Sequence, residues 1–212
     1  MSCVTHEDFW NDAWNSKINF SSSAETKSLP WDIKTYDVNL KNVLNFLNLD
    51  KGNLFEIGCG SGYDTNYLIH RGFNVTAIDI AENAINIAKE VNKKLNVELK
   101  VADFFSFVTE KKYDVVYDRG FLHNHLDKIY EIFQKIYFML SDNGYYIFIT
   151  GNPNQHETKT ARPPIVFLSQ VEESSFSWFK IVLAQEIIFK LDKKYEDVLG
   201  YVFVLKKKHK FT

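Results

Sequence analysis

The sequence predicts an α/β fold in which a parallel sheet is covered on both faces by helices. Three observations predict it. From Asn53 onward, short runs rich in β-branched and aromatic residues alternate with longer stretches of helical character. Those stretches repeat apolar residues every three or four positions, as in Ile129, Ile132, Phe133, Ile136 and Leu140. A glycine-rich turn at 58–62 stands where the first strand gives way to the first crossover helix.

Taken in order, the elements divide one domain of 212 residues into three parts. Residues 1–50 form an N-terminal cap or lid. This part holds three of the four tryptophans, a serine patch at 21–23 and a helix from Tyr36 to Leu47. Trp10 and Trp14, four apart, share one face of a further amphipathic helix. Residues 51–150 are the core, with strands at Asn53–Ile57, Asn74–Asp79, Val97–Val101, Tyr113–Tyr117 and Tyr145–Thr150. Helices at Thr65–His70, Ala84–Lys94 and Lys128–Leu140 connect them, and Asp142, Asn143 and Gly144 end the last helix and turn the chain into the fifth strand. Residues 151–212 begin with a polar surface loop containing Pro153, Pro163 and Pro164. A short helix around Ser169–Glu172 follows, then two strands, Phe179–Phe189 and Tyr201–Lys206, joined as a hairpin.

Composition excludes several classes. With 45% hydrophobic and 25% charged residues the chain is that of a folded globular protein. A formal charge of -2 provides no general field for a phosphate backbone, so no nucleic-acid partner is expected. The one basic run, Lys206 to Lys210, reads as the solvated end of the last strand. Cys3 and Cys59 are too far apart in sequence to make a disulfide framework or a zinc site, and no metal site is expected. The acidic, aromatic start lacks the pattern of an export signal, and the run Ile181–Phe189 is interrupted and too short to span a bilayer. A cytoplasmic protein without membrane contact is expected.

The residues that carry chemistry cluster at strand ends. Glu56 precedes Gly58-Cys59-Gly60-Ser61-Gly62, whose GxGxG spacing differs from the GxGxxG of a pyrophosphate turn, and the glycines let backbone approach a ligand closely. Asp79 ends the second strand, where a carboxylate accepts from two ribose hydroxyls. Asp103 ends the third and is followed by Phe104, an acceptor for an adenine amino group beside a ring that covers the base. Each acid alone is equally a turn or helix cap. Together, along the carboxyl edge of one sheet, they specify an adenosine-containing ligand.

At this point the chain resembles the class I S-adenosylmethionine-dependent methyltransferases. Within them it is most similar to the thiopurine, thiol/halide and tellurite-resistance group. The residues that carry the resemblance are Phe9-Trp10, Trp14, Pro30-Trp31-Asp32, the turn from Gly58 to Asp64, Val75–Ile80, Ala102–Phe105, Tyr113–Arg119 and Arg162-Pro163-Pro164. The resemblance implies a Rossmann-like seven-stranded, mostly parallel sheet with an antiparallel last strand. It implies S-adenosylmethionine as cofactor, held by Trp14, Trp31, Glu56, Gly58, Cys59, Gly60, Asp79, Ile80, Asp103, Phe104 and Asp118. A sulfonium beside an aromatic face is electrostatically favoured, which suits Trp31 to a lid. A small-molecule methyl acceptor is expected, bound by Arg119, His125 and Arg162; Arg162 stands where the family usually has glycine.

His123 and His125 follow the fourth strand, and three readings of them stay open. They are buried histidines bonded to backbone, or a base and hydrogen-bond partner for the acceptor, or metal ligands. If a base is needed, for a neutral hydroxyl or amine, His123 is the choice; a soft anion such as a thiolate or halide needs none. Two other functions compete with a small-molecule methyltransferase: a noncatalytic cofactor-binding scaffold, and a nucleic-acid or protein methyltransferase. A nicotinamide dehydrogenase shares the glycine turn but leaves the Asp103-Phe104 pair unexplained.

Overall fold

The central strands are buried at nearly every position, and because successive side chains face opposite sides, both faces of the sheet are apolar and take a layer of helices. The computed structural model describes residues 6–15, 29–151 and 168–209. In chain order it contains α1 (His6–Trp14), α2 (Val38–Phe46), β1 (Gly52–Ile57), α3 (Tyr63–Arg71), β2 (Phe73–Asp79), α4 (Glu82–Val91) and β3 (Glu98–Val101). It continues with β4 (Tyr113–Arg119), α5 (Ile129–Met139), β5 (Leu140–Gly151), α6 (Leu168–Ser175), β6 (Phe179–Phe189) and β7 (Val198–Lys207). Two 3-10 turns, Leu122–Asn124 and Leu126–Lys128, stand between β4 and α5.

One seven-stranded sheet runs β3-β2-β1-β4-β5-β7-β6. The pairs among β1 to β5 are parallel, and β7 is antiparallel to both β5 and β6. The expected antiparallel last strand and closing hairpin are therefore present. On one face Leu54, Val115, Tyr117, Ile147, Ile149, Val202 and Val204 meet α2, α3 and α4 through Leu44, Leu68, Ile85 and Ala88. On the other, Phe55, Val116, Tyr146, Phe148, Phe203 and Leu205 meet α5 and α6 through Ile132, Phe133, Ile136 and Val171. Adjacent residues of β4, β5 and β7 thus serve opposite cores. The β3-to-β4 connection carries no helix, and its Phe104, Phe105 and Phe107 pack into the second core instead.

Most element ends shift by a few residues from expectation, and the boundary before β5 differs in kind. The helix before β5 ends at Met139, and Leu140 already pairs with Tyr113. Residues 141–144 then bulge out, Asn143 taking a left-handed φ of 66°, before pairing resumes between Val115 and Tyr145. Leu140 is fully buried, and Ser141 Oγ donates to Asp114 Oδ1 at 2.9 Å, so the strand begins before the turn and keeps it as a bulge. The polar loop with its three prolines lies outside the described residues.

Parallel pairing brings the ends of β1, β2, β3, β4 and β5 to one edge. Because β6 pairs antiparallel with β7, which pairs antiparallel with β5, the end of β6 reaches that same edge. Among the described residues no helix is long and apolar enough to cross a membrane.

Candidate active site

The turn after β1 is stitched to the end of β2. The N–H groups of Gly58 and Cys59 donate to Ile78 O at 2.9 and 3.0 Å, and Gly60 N donates to Asp79 Oδ2 at 2.9 Å. Asp79 Oδ1 accepts from Ala81 N, also at 2.9 Å. The glycines are required here: Gly58, Gly60 and Gly62 have φ of 67°, 53° and 76°. A Cβ on Gly62 would come within 2.8 Å of Ala88 Cβ and Asn92 Nδ2, so α3 and α4 close over it. A Cβ on Gly58 would meet only Phe121 Cβ, at 3.9 Å, so its Cα faces open space that a ligand can occupy.

A cavity of about 330 Å³ opens at this edge. Its walls bring together most of the residues singled out by sequence: Trp14, Trp31, Gly58, Gly60, Asp79, Ile80, Asp103, Phe104, Arg119, His123 and His125. Glu56 and Cys59 line an adjoining recess of about 60 Å³ that shares Trp14, Trp31, Gly58, Gly60 and Arg119 with the main cavity. Glu56 is buried and accepts from Thr65 Oγ1 at 2.5 Å; burial, then repulsion from Asp64, pushes its carboxyl well above the usual range. Burial likewise pushes the Cys59 thiol up, which makes it a poor nucleophile. Arg162 lies outside the described residues.

Asp118 corrects an expectation. It is fully buried and absent from both walls. Its Oδ1 accepts from the N–H groups of Phe121 and Leu122 at 3.0 and 3.2 Å, and its Oδ2 accepts from the Tyr146 hydroxyl. It therefore shapes the turn that carries the two histidines and does not face a cofactor. Side chains near a strand end face either side by alternation, and Asp118 shares the face of Val116 and turns toward the core that holds Tyr146.

The histidines differ. Both are buried, and His123 packs with Nδ1 3.1 Å from Thr150 Oγ1. Burial, then the charge of Arg119, lowers its pKa to about 3. A base works best with a pKa near the operating pH, so this environment does not suit the general-base reading and leaves His123 as a neutral hydrogen-bonding group. His125 stacks on Phe121 at 4.5 Å, with Nδ1 3.1 Å from Phe121 O. A carbonyl only accepts, so Nδ1 carries the proton and Nε2 is the basic nitrogen of the neutral ring. No group of His, Cys, Asp and Glu able to hold a metal occurs among the described residues.

Arg119 faces the cavity but spends its fork on the protein. Nε donates to Asp37 Oδ2 at 2.7 Å and Nη1 to Trp31 O at 3.1 Å, Nη2 donates to Lys190 O, and the guanidinium lies 4.4 Å from the Phe189 ring centre. Burial opposes its charge, but Asp37 and Asp64 outweigh it and hold the pKa above the ordinary value.

The walls also contain residues that sequence reasoning did not assign to the site: Phe9, Phe121, Asn124, Phe189 and Leu191. Trp10, expected as a helix staple, lines the cavity too and meets Trp31 edge-on at 5.3 Å. Phe189 and Leu191 come from the β6–β7 hairpin, and the direction of β6 was the signal that would have found them. The result is one cavity whose walls join the glycine turn and the acids to a chamber lined by aromatic side chains.

Comparison with known proteins agrees with this geometry. Residues 49–201 match the family model described as methyltransferase domain. The chain is 32% identical over 111 residues to a malonyl-[acyl-carrier protein] O-methyltransferase of Bacillus cytotoxicus, covering 51% of this chain and 39% of that protein. It is 27% identical over 115 residues to a probable thiol methyltransferase 2 of Arabidopsis thaliana, covering 50% and 49%. The chain thus spans half or less of the length of these curated relatives. A solved structure from work on the conversion of a disulfide bond into a thioacetal group during echinomycin biosynthesis superposes with a TM-score of 0.81 at 15% identity, covering 98% of this chain and 94% of that one; it shares the fold. With most of its length matched, the chain belongs to the methyltransferase-domain family, the class I S-adenosylmethionine-dependent methyltransferases.

Proposed function

We propose that this chain transfers the methyl group of S-adenosylmethionine to a small acceptor that attacks as a soft anion, with a sulfur nucleophile as first choice. One observation carries this: a single cavity joins a glycine turn and two strand-end acids, Asp79 and Asp103, to an aromatic chamber whose inner histidine is held neutral. When bound, S-adenosylmethionine supplies an electrophilic methyl carbon on a sulfonium. In this reading Asp79 accepts from the ribose, Asp103 from the adenine amino group, and Gly58 and Gly60 leave room for the ligand's approach. Trp14 and Trp31 cover it. Phe121, Phe189 and Leu191 exclude water from the chamber and hold the acceptor in line, where positioning supplies most of the rate. Attack by an anion neutralises charge and asks for no base, in keeping with His123. The thiol methyltransferase relative and the sulfur chemistry named for the solved structure point the same way.

A second reading is a neutral hydroxyl or amine acceptor, favoured by His125, whose Nε2 is the basic nitrogen of the ring. Calorimetric titration with S-adenosylhomocysteine, then turnover on matched thiols, phenols, amines and carboxylates, tests both. Preference for thiols supports the first reading. Preference for phenols or amines with loss in His125→Gln supports the second, and absence of S-adenosylhomocysteine binding overturns the assignment.

A further inference from the structure

We propose that Arg119 is a positioning residue that ties the roof over the cavity to the β6–β7 hairpin, so that roof and acceptor wall close as one unit. The roof is the segment 29–37, whose Pro30 and Trp31 line the cavity; the wall is Phe189 and Leu191 at the root of the hairpin. These segments lie far apart in sequence, and neither is part of the glycine turn. Arg119, the last residue of β4, stands between them.

Its side chain meets both. Toward the roof, Nε pairs with Asp37 Oδ2 and Nη1 donates to Trp31 O; toward the hairpin, Nη2 donates to Lys190 O and the guanidinium covers the Phe189 ring. The ion pair is shielded from water, the side chains of Arg119 and Asp37 being 9% and 0% exposed. Asp37 is itself fixed: its Oδ1 accepts from Asn39 N at 2.7 Å at the start of α2, and its N–H donates to Asp64 Oδ1 at 2.6 Å. Asp64 Oδ2 in turn accepts from the Tyr117 hydroxyl at 2.9 Å, which returns the network to β4. A direct bond joins the two segments as well, from Asp192 N to Pro30 O at 2.7 Å.

The residue type suits this role. A planar guanidinium spreads its donors over three nitrogens and so reaches a carboxylate and two carbonyls on different sides; an ammonium has three donors on a single nitrogen and does not span partners placed this way. A charge this well buried is held by partners on both sides, so moving one segment away strips Arg119 of bonds, admits water beside it and loosens its hold on the other segment. The bonds therefore favour two arrangements, both segments docked or both released.

The inference rests on reading the cavity as a cofactor and acceptor site, and its test separates the two. Amide hydrogen exchange in the full chain, with and without S-adenosylhomocysteine, follows Asp192 N–H, residues 29–37 and residues 190–197, with β1 and β4 as internal reference. Arg119→Met is expected to speed exchange at least about tenfold in both segments and leave β1 and β4 unchanged. Arg119→Lys, which keeps the charge and loses the fork, is expected to restore protection near Asp37 and not at Lys190–Asp197. In the wild type, S-adenosylhomocysteine is expected to slow both segments together, and to slow only the roof in Arg119→Lys. Unchanged exchange in both variants overturns the proposal, as does a rise that includes β1 and β4, or cofactor protection of the roof alone in the wild type. If the wild type binds no S-adenosylhomocysteine, the functional reading fails, and the ligand-free exchange still decides the role of Arg119.

Discussion

Acidification through about pH 6 should release S-adenosylhomocysteine from the wild-type protein, and Asp79→Asn should erase that dependence. Asp79 is 8% exposed, and burial raises its pKa to about 6 against the opposing pull of the Ala81 and Gly60 N–H groups. Ribose hydroxyls donate best to the ionised carboxylate, so affinity is full above about pH 7 and is lost as pH falls through about 6. If only the ionised form binds, moving from about pH 7.5 to about pH 5 costs roughly tenfold, or about 1.4 kcal/mol. In Asp79→Asn the charge is gone and one of the two backbone donors, from Gly60 or Ala81, faces an amide NH2 instead of an acceptor. Affinity at about pH 7.5 should then fall by about 1.5 to 3 kcal/mol and vary little with pH. The fold does not fail in the same window through this group. A carboxyl raised in the folded state costs stability when ionised, above about pH 6, and the cost is relieved as pH falls toward the unfolded value near 4. Isothermal titration calorimetry at both pH values, with circular dichroism to verify folding, makes the measurement. Equal wild-type affinities, or a drop that survives in Asp79→Asn, would remove Asp79 from the ligand's ribose.

Three further outcomes are expected. His123→Gln should lower turnover on a thiol less than about tenfold and leave no histidine limb between about pH 6 and 8; a loss of about 10²- to 10⁴-fold would restore it as a base. Gly62→Ala should destabilise the fold by about 2 to 5 kcal/mol in urea unfolding, from the left-handed backbone and the contacts near 2.8 Å with Ala88 and Asn92. A change below about 1 kcal/mol would mean that α3 and α4 part without strain. Trp14, whose ring lies 3.1 Å from where a Gly60 Cβ would stand, should lose about 1.5 to 3 kcal/mol of S-adenosylhomocysteine affinity when changed to Ala. If instead only the acceptor KM rises, Trp14 belongs to the chamber.

Local signals located the glycine turn and the acids that line the cavity, the side proposed for the cofactor. Glycine spacing and an acid at each strand end are read within a few residues, because positive φ and strand alternation are short-range properties. Asp118, placed at the cofactor by resemblance alone, shows the limit: one residue before the end of β4 it is a buried cap of the next turn, since facing outward or inward depends on the register of that one residue. The partners of Arg119 lie 71, 82 and 88 positions away in sequence, and no periodicity encodes them. The bulge at 141–144 was equally hidden, because Leu140 suits the end of a helix and the start of a buried strand alike. Phe189 read as the last residue of an apolar run, and its place in the chamber follows only from the strand order β5-β7-β6.

That order has a consequence for how such a protein diversifies. Since β7 runs against its neighbours, the segment from Phe189 to Val198 projects over the same rim as the glycine turn while sharing none of its residues. Length and composition there can vary without rewriting the glycine turn or the segments that carry Asp79 and Asp103, and each variant remoulds the far wall. Transplanting 190–197 from a relative with a different acceptor is therefore the smallest graft by which selectivity could be exchanged, provided the carbonyl facing Arg119 keeps its position in the graft.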